Sequence, residues 1–286
     1  GDEVLVPAMT FGATANAVFH SGAIPVFVDC NENDPCMSVH DLEKKITKNT
    51  KAIIVVHMHG QRADMTKITE IASKYNLKIV EDAAHALELK NLAKDSSFAC
   101  FSFYPNKNIT TIEGGLVASI HKHLIDEIKI RAQHGLSTDA WKRFSDDGYR
   151  HYLIETLGFK YNMTDVQASL GIHEVPKIEG YRNSRKKLWA YYQDSLQNTG
   201  LDLPMRNVDD HAMYVFAPRV ARDKFTISRD ELIILLHQEG IGSGVHYLSL
   251  CEHPFYQQQL GVKVDSCKNA YLYGKETISI PFSQHI

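Results

Sequence analysis

The chain has 286 residues, of which 44% are hydrophobic and 23% charged, and its 34 Asp and Glu against 31 Lys and Arg leave a formal net charge of −3. No basic surplus points to nucleic acid, and no apolar run reaches the ~18 residues of a membrane span. The five cysteines, Cys30, Cys36, Cys100, Cys251 and Cys267, lack Cys-x-x-Cys spacing, so buried, reduced thiols in a cytoplasmic protein are expected rather than a disulfide framework. No signal peptide is expected, and Gly1 in place of Met suggests that residues precede it.

In chain order, "EVLVPA" (3–8) is β-branched and apolar and predicts a strand, "TANAVFHSG" (14–22) a helix stopped by Gly22, and "IPVFVD" (24–29) a second strand. "SVHDLEKKI" (38–46) predicts a helix, with Ser38 and Asp41 spaced for a capping box. "AIIVVHMHG" (52–60) is a continuous apolar run, as both faces of a buried parallel strand require. Helix 64–76, strand 77–84, strands 98–104 and 115–120, and helix 123–135 follow. Repeated βα units of this kind predict an α/β fold, a mostly parallel mixed sheet flanked by helices, with ligands at the carboxyl ends of the strands.

Pro176 breaks the helix "TDVQASLGIHEV", and an amphipathic helix runs from about Lys177 to Gln197. Its basic residues, in "YRNSRKKLWAYY", are expected on a solvated face with the aromatics inward. Beyond it, strand 213–220, capped helix 228–240 and short strand 244–247 predict a smaller α+β unit. The expected division is a large domain over 1–176, and the connecting helix with a small domain over 177–286.

Three features fall at strand ends: Asp82 closes "LKIVED", Lys107 follows "FACFSFYP", and Thr10 and Phe11 follow "EVLVPAM". A lone loop lysine is most often solvated, an Asp at a strand end most often a cap, and a Phe most often core. Together they are the residue types that pyridoxal phosphate requires: an amine able to lose its proton, an acid for the pyridine nitrogen, and a flat partner for the ring. At an ordinary pKa of ~10.4 only about one lysine in two thousand is neutral at pH 7, so Lys107 needs burial or a cationic neighbour to serve. The two histidines of "HMHG" (57–60) share a strand face but have no third metal ligand at a recognisable spacing, so ordinary hydrogen bonds and no metal are expected. "GIGSG" (240–244) follows a helix and precedes a strand, the reverse of a dinucleotide-binding turn.

The chain resembles the DegT/StrS-type nucleotide-sugar aminotransferases, fold type I pyridoxal phosphate enzymes, nearly end to end. "CFSFYPNKNITTIEGG" and "KIVEDAAHA" carry the specific part of the likeness, supported by "GDEVLVPAMTFGATANAV", "GAIPVFVD", "TKAIIVVHMHGQRADM", "KYNMTDVQASLG" and "GIGSGVHY". The resemblance implies that Lys107 bonds the cofactor aldehyde and afterwards serves as general base. It further implies that Asp82 pairs with the pyridinium nitrogen, His85 bonds the phenolic oxygen, Phe11 stacks on the ring and Ser102 binds the phosphate. Asn162 would reach the phosphate of a neighbouring subunit's cofactor, implying a homodimer with shared active sites, and His246 would lie near the substrate. The implied reaction takes an amino group, usually from L-glutamate, to a nucleotide-linked keto-sugar, making an amino sugar for lipopolysaccharide or another polysaccharide, a glycan or an antibiotic.

The sequence departs from the family pattern at its start, where a phosphate-binding segment before Gly1 is expected to be missing, and the end at Ile286 also looks early. The loop "ELKNLAKDSS" lacks the usual glycines, and Ser249 and Cys251 stand where Pro and His are commoner. A non-catalytic fragment that binds nucleotide-sugar or partner chains is therefore a rival reading. A sugar dehydratase on the same scaffold is another; those relatives carry His in place of the lysine, so Lys107 argues against it.

Overall fold

The computed structural model describes residues 1–137, 144–145, 148–149 and 151–286. A six-stranded sheet is formed by β1 (Glu3–Pro7), β2 (Ile24–Val28), β3 (Thr50–Val56), β4 (Lys78–Asp82), β5 (Phe98–Ser102) and β6 (Gly115–Ala118), in the order β2-β1-β3-β4-β5-β6. The first five are mutually parallel and β6 runs antiparallel to β5 at the edge. The fold is thus the expected mostly parallel mixed sheet with helices packed on it. A short hairpin, β7 (Phe144–Ser145) and β8 (Gly148–Tyr149), stands apart.

Helices α1 (Gly12–His20), α2 (Val39–Lys44) and α3 (Met65–Tyr75) cross between the parallel strands. Leu5, Val6, Ile53, Val55 and Val56 are buried in the resulting core, because a strand covered on both faces has no polar side to offer. Asp64 caps α3 by accepting from the Lys67 N–H, and Asn76 closes it in the left-handed conformation. The expected capping box on α2 is only half formed. The Ser38 hydroxyl accepts from the Asp41 N–H, but the Asp41 carboxylate accepts from the Asp29 N–H at 2.7 Å and pairs with Lys45 at 2.9 Å. Aspartate is one methylene shorter than the glutamate that usually reaches back to the cap.

After β6 come α4 (Lys122–Arg131), α5 (Asp165–Glu174), a 3-10 turn over Val175–Lys177 at Pro176, and α6 (Ile178–Leu196). A full capping box of Thr164 and Gln167 starts α5, and one of Ser228 and Glu231 starts α7 (Arg229–Gln238). The orientation of α6 corrects the expected basic and aromatic faces: Arg185 is buried beside Trp189, while Tyr191 is exposed.

The expected strands 213–220 and 244–247 are not strands. Only isolated bridges occur there, Phe216 with Ile280, Arg219 with Asp202 and Thr277, and Gly244 with Ser279. Pro218 has no N–H to donate, and Pro281 interrupts the facing segment. Tyr256 of α8 (Pro254–Leu260) and Ala270 and Tyr273 of α9 (Lys268–Glu276) are buried in the same core cluster as β1 and β3. Leu250 N–H also donates to Ala8 O at 2.8 Å, so the C-terminal residues pack onto the sheet directly. Among the described residues all five cysteines are free, four of them buried, and no helix is long and apolar enough to cross a membrane.

Leu5 lies fully buried on β1, an interior strand of the sheet. Leu5→Ala is expected to lower the unfolding free energy by about 2–5 kcal/mol, read as an earlier midpoint in chemical denaturation. Tyr191→Ala, on the exposed face of α6, should leave that midpoint nearly unchanged.

Candidate active site

A cleft of about 740 Å³ opens at the carboxyl ends of the strands, where loops leaving a parallel sheet diverge. Its lining includes Phe11, Asp82, His85, Ser102, Lys107 and His246. Six of the seven residues expected at the site are therefore brought together. The seventh, Asn162, is exposed just ahead of α5 and does not line the cleft.

The end of β4 sorts two acids by the alternation of strand side chains. Glu81 is buried, accepting from the His57 ring at 2.9 Å, from Ser96 Oγ and from the Ala93 N–H. Asp82, one residue on, lines the cleft, where its carboxylate accepts from Thr14 Oγ1 at 2.8 Å and from the Ala84 N–H at 3.1 Å. Thr14 in turn bonds Thr10 at 2.9 Å. The first turn of α1 thereby aims the carboxylate.

Lys107 sits in the loop between β5 and β6. Its Nζ lies 3.3 Å from the Tyr214 hydroxyl and 4.4 Å from the centroid of that ring. Burial lowers its pKa to about 8, against the opposing pull of the Asp82 charge. About one Lys107 in ten is then neutral at pH 7, roughly two-hundredfold more than for a solvated lysine. The glycines closing this loop allow close packing: a Cβ on Gly114 would meet Thr111 Oγ1 at 2.2 Å, and one on Gly115 would meet Phe101 O at 3.0 Å.

His85 stacks on Tyr214, with ring centroids 4.1 Å apart, and its Nε2 lies 3.3 Å from the Tyr247 hydroxyl. Burial first, and the Lys107 charge second, hold its pKa well below the usual histidine range, so the ring is neutral. Its Nδ1 is buried without a partner, an unmet polar atom that a ligand in the cleft would satisfy. Phe11 is 61% exposed and meets Tyr247 at a centroid distance of 5.6 Å. Ser102 Oγ accepts from the Tyr104 N–H at 3.4 Å. His246 Nδ1 is 2.8 Å from Ser279 Oγ. A largely desolvated amine, an oriented carboxylate and an unsatisfied neutral imidazole in one cleft fit pyridoxal phosphate.

Among the described residues no group of three or more His, Cys, Asp or Glu is close enough to hold a metal ion. β3 ends at Val56, and residues 58–60 form a 3-10 turn in which His59 has φ 59°. His57 accepts from the Ala63 N–H and pairs with Glu81, whereas His59 Nε2 lies 2.5 Å from His246 O. Gly60, at φ 93°, passes so close to His85 that a Cβ there would lie 2.9 Å from His85 O.

Sequence reasoning missed Tyr214, Tyr247 and Thr14. Thr14 bears a helical spacing to Thr10 but no chemical signature, and Tyr214 lies 107 positions from the lysine it touches.

The sequence pattern of the DegT/DnrJ/EryC1/StrS aminotransferase family matches residues 1–286. Uncharacterized protein MJ1066 of Methanocaldococcus jannaschii is 40% identical over 286 residues, covering 98% of this chain and 74% of that one. Spore coat polysaccharide biosynthesis protein SpsC of Bacillus subtilis is 37% identical over 288 residues, again 98% of this chain and 74% of the relative. Among solved structures, the putative sugar aminotransferase Spr1654 from Streptococcus pneumoniae in its PLP form superposes with a TM-score of 0.89 at 28% identity, covering 100% of this chain and 77% of that one.

Labelling of Lys107 by an amine-acylating reagent, followed by mass spectrometry across pH, should rise about tenfold per pH unit below 8 and level off above it. Asp82→Asn removes the charge that favours the ammonium, so its inflection should fall at lower pH.

Proposed function

The chain belongs to the DegT/DnrJ/EryC1/StrS aminotransferase family, and from that premise we propose that it is a pyridoxal phosphate-dependent aminotransferase acting on a nucleotide-linked keto-sugar, with L-glutamate as amino donor. The observation that carries this reading is the convergence of Lys107, Asp82 and His85 on one cleft. Family membership and the sugar-aminotransferase neighbours support it.

In this reading Lys107 holds the cofactor by its aldehyde carbon, Asp82 keeps the pyridine nitrogen protonated, and His85 Nδ1 donates to the phenolic oxygen. Phe11 covers the ring and Ser102 bonds the phosphate. Bound there, pyridoxal phosphate supplies an electron sink that acidifies the Cα–H of the amino donor. Lys107 would take and return that proton at Nζ. Its burial suits the task, because a base with a pKa near the working pH both accepts and releases a proton readily. Thr14 and Ala84 keep Asp82 directed into the cleft. His246, at the cleft wall, faces the sugar.

The protein acts as a homodimer in the cytoplasm, with Asn162 completing the phosphate site of the other subunit. Support for the homodimer comes from exposed apolar residues. Neither α4 nor α5 buries any residue, Val166 and Ile172 on α5 are exposed, and Leu116 and Val117 are exposed on the edge strand β6. Exposed apolar residues of this kind, where they gather into a patch, mark an interface. The amino sugar product serves assembly of a polysaccharide, glycan or antibiotic.

Addition of pyridoxal phosphate should give the visible absorbance of a lysine-linked cofactor, and Lys107→Ala should abolish it. Turnover with L-glutamate across a panel of nucleotide-linked keto-sugars should fall at least about a thousandfold in that variant; a wild type that makes no amino sugar from any of them would overturn the reading. Lys107→Ala and Asn162→Ala chains, each inactive alone, should recover about one quarter of wild-type activity on mixing, since half the dimers would be mixed and each would hold one intact site.

A further inference from the structure

Lys107 stands in a loop of twelve residues, 103–114, whose backbone ties to its surroundings are local. Phe103 N–H donates to Gly114 O, Thr111 N–H to Phe103 O, and Lys107 N–H only to Tyr104 O. Such a loop does not by itself fix a long side chain, since each immobilised rotamer costs entropy. The next residue supplies the missing anchor. Asn108 is buried, and its side-chain Nδ2 donates to Glu88 Oε2 at 2.7 Å and to Ala212 O at 3.1 Å.

Those two acceptors are well placed. Glu88 lies three residues after His85, and Ala212 two before Tyr214, and His85 and Tyr214 are the stacked pair beside the lysine. One amide group thus links the backbone of Lys107 to both segments facing its amine. Glu88 is itself held from behind. Its other oxygen accepts from Arg185 of α6, and the two side chains are 3% and 1% exposed. Arg185 Nη1 also lies 3.4 Å from Gln284 Oε1. A buried ion pair is weak support for stability, because desolvating both charges offsets most of their attraction. Its geometry is the informative part: it joins the loop after β4, the lysine loop, the 211–214 segment and the long helix at one point.

We propose that Asn108, Glu88 and Arg185 form a clamp that positions Lys107 in the cleft, acting through the loop backbone and touching neither cofactor nor substrate. The chemistry assigned to the lysine rests on the function proposed above; the clamp itself does not. A lysine held in place stays out of water, which agrees with its pKa of about 8. The ionisable groups lining that cleft around Nζ are Asp82 on β4, His85 in the following loop, Cys100 on β5, Tyr104 in the lysine loop, Glu113 ahead of β6, and His246 and Tyr247 toward the C-terminus, together with Tyr214 in direct contact. None is altered by a change at Asn108.

The test is the pH profile of Lys107 acylation in the cofactor-free protein, followed by mass spectrometry, with circular dichroism and thermal unfolding as checks on folding. Asn108→Ala should move the inflection up by about one unit or more toward that of a solvated lysine, a tenfold or greater loss of labelling at pH 7. Asn108→Ser, too short to span both acceptors, gives the same readout should the alanine variant fail to fold. A folded Asn108→Ala or Asn108→Ser protein whose inflection stays at the wild-type value overturns the clamp. Parallel incubation with pyridoxal phosphate separates the two ideas. A wild type with no lysine-linked absorbance, but an inflection still moved by Asn108→Ala, removes the cofactor reading and leaves the clamp. Normal absorbance with an unmoved inflection does the reverse.

Discussion

The site depends on keeping one amine out of water within reach of a carboxylate that would prefer it charged. Burial lowers the pKa of Lys107 and the Asp82 charge raises it, and burial wins. The balance holds because Asp82 turns its oxygens to Thr14 and the Ala84 N–H instead of closing an ion pair on the lysine. A direct pair would stabilise the ammonium and leave a poor nucleophile. Tyr214 allows a middle course: its ring and hydroxyl give Nζ a partner that carries no charge, since burial raises the phenol to about 12.

The rest of the fold serves that arrangement. Parallel strands bring Thr10 and Phe11 after β1, Asp82 at the end of β4, and Lys107 after β5 to one end of the sheet. The alternation of β4 then divides labour between adjacent acids. Glu81 ties the sheet to His57 and to the loop at 93–96, and Asp82 faces the cleft. The turn at 57–61 is the junction through which later residues reach the site: Ala212 N–H donates to Gly60 O, Tyr214 N–H to His59 O, and His59 approaches His246 O. Of the two histidines in this turn, His57 pairs with Glu81 and accepts from the Ala63 N–H, and His59 docks Tyr214 and His246 against the sheet.

Much of this was legible in advance, for physical reasons. Strands such as "AIIVV" cannot be amphipathic when covered on both sides, so their period and apolarity reveal them, and helices α5 and α7 announce their starts through Thr164 with Gln167 and Ser228 with Glu231. Lys107 and Asp82 could be named as residue types that together suit pyridoxal phosphate, and His85 through a motif that resembles a known one. What was misread shares a cause. Segment 213–220 has strand composition, but Pro218 and its neighbours make only isolated bridges. Arg185 looked like one more solvated cation on α6, yet Glu88, 97 positions earlier, draws it into the interior.

The sequence by itself determined the sheet, the order of its parallel units and the kinds of groups at its carboxyl ends, because periodicity, capping and strand-end chemistry are local and each is written within a few residues. Only the tertiary structure decided that Tyr214 lies against Lys107, that His85 keeps an unpartnered Nδ1, and that Asn108 spans Glu88 and Ala212. These contacts join residues 20 to 107 positions apart. Their partners are ordinary side chains whose roles come from burial and distance, which no local pattern encodes.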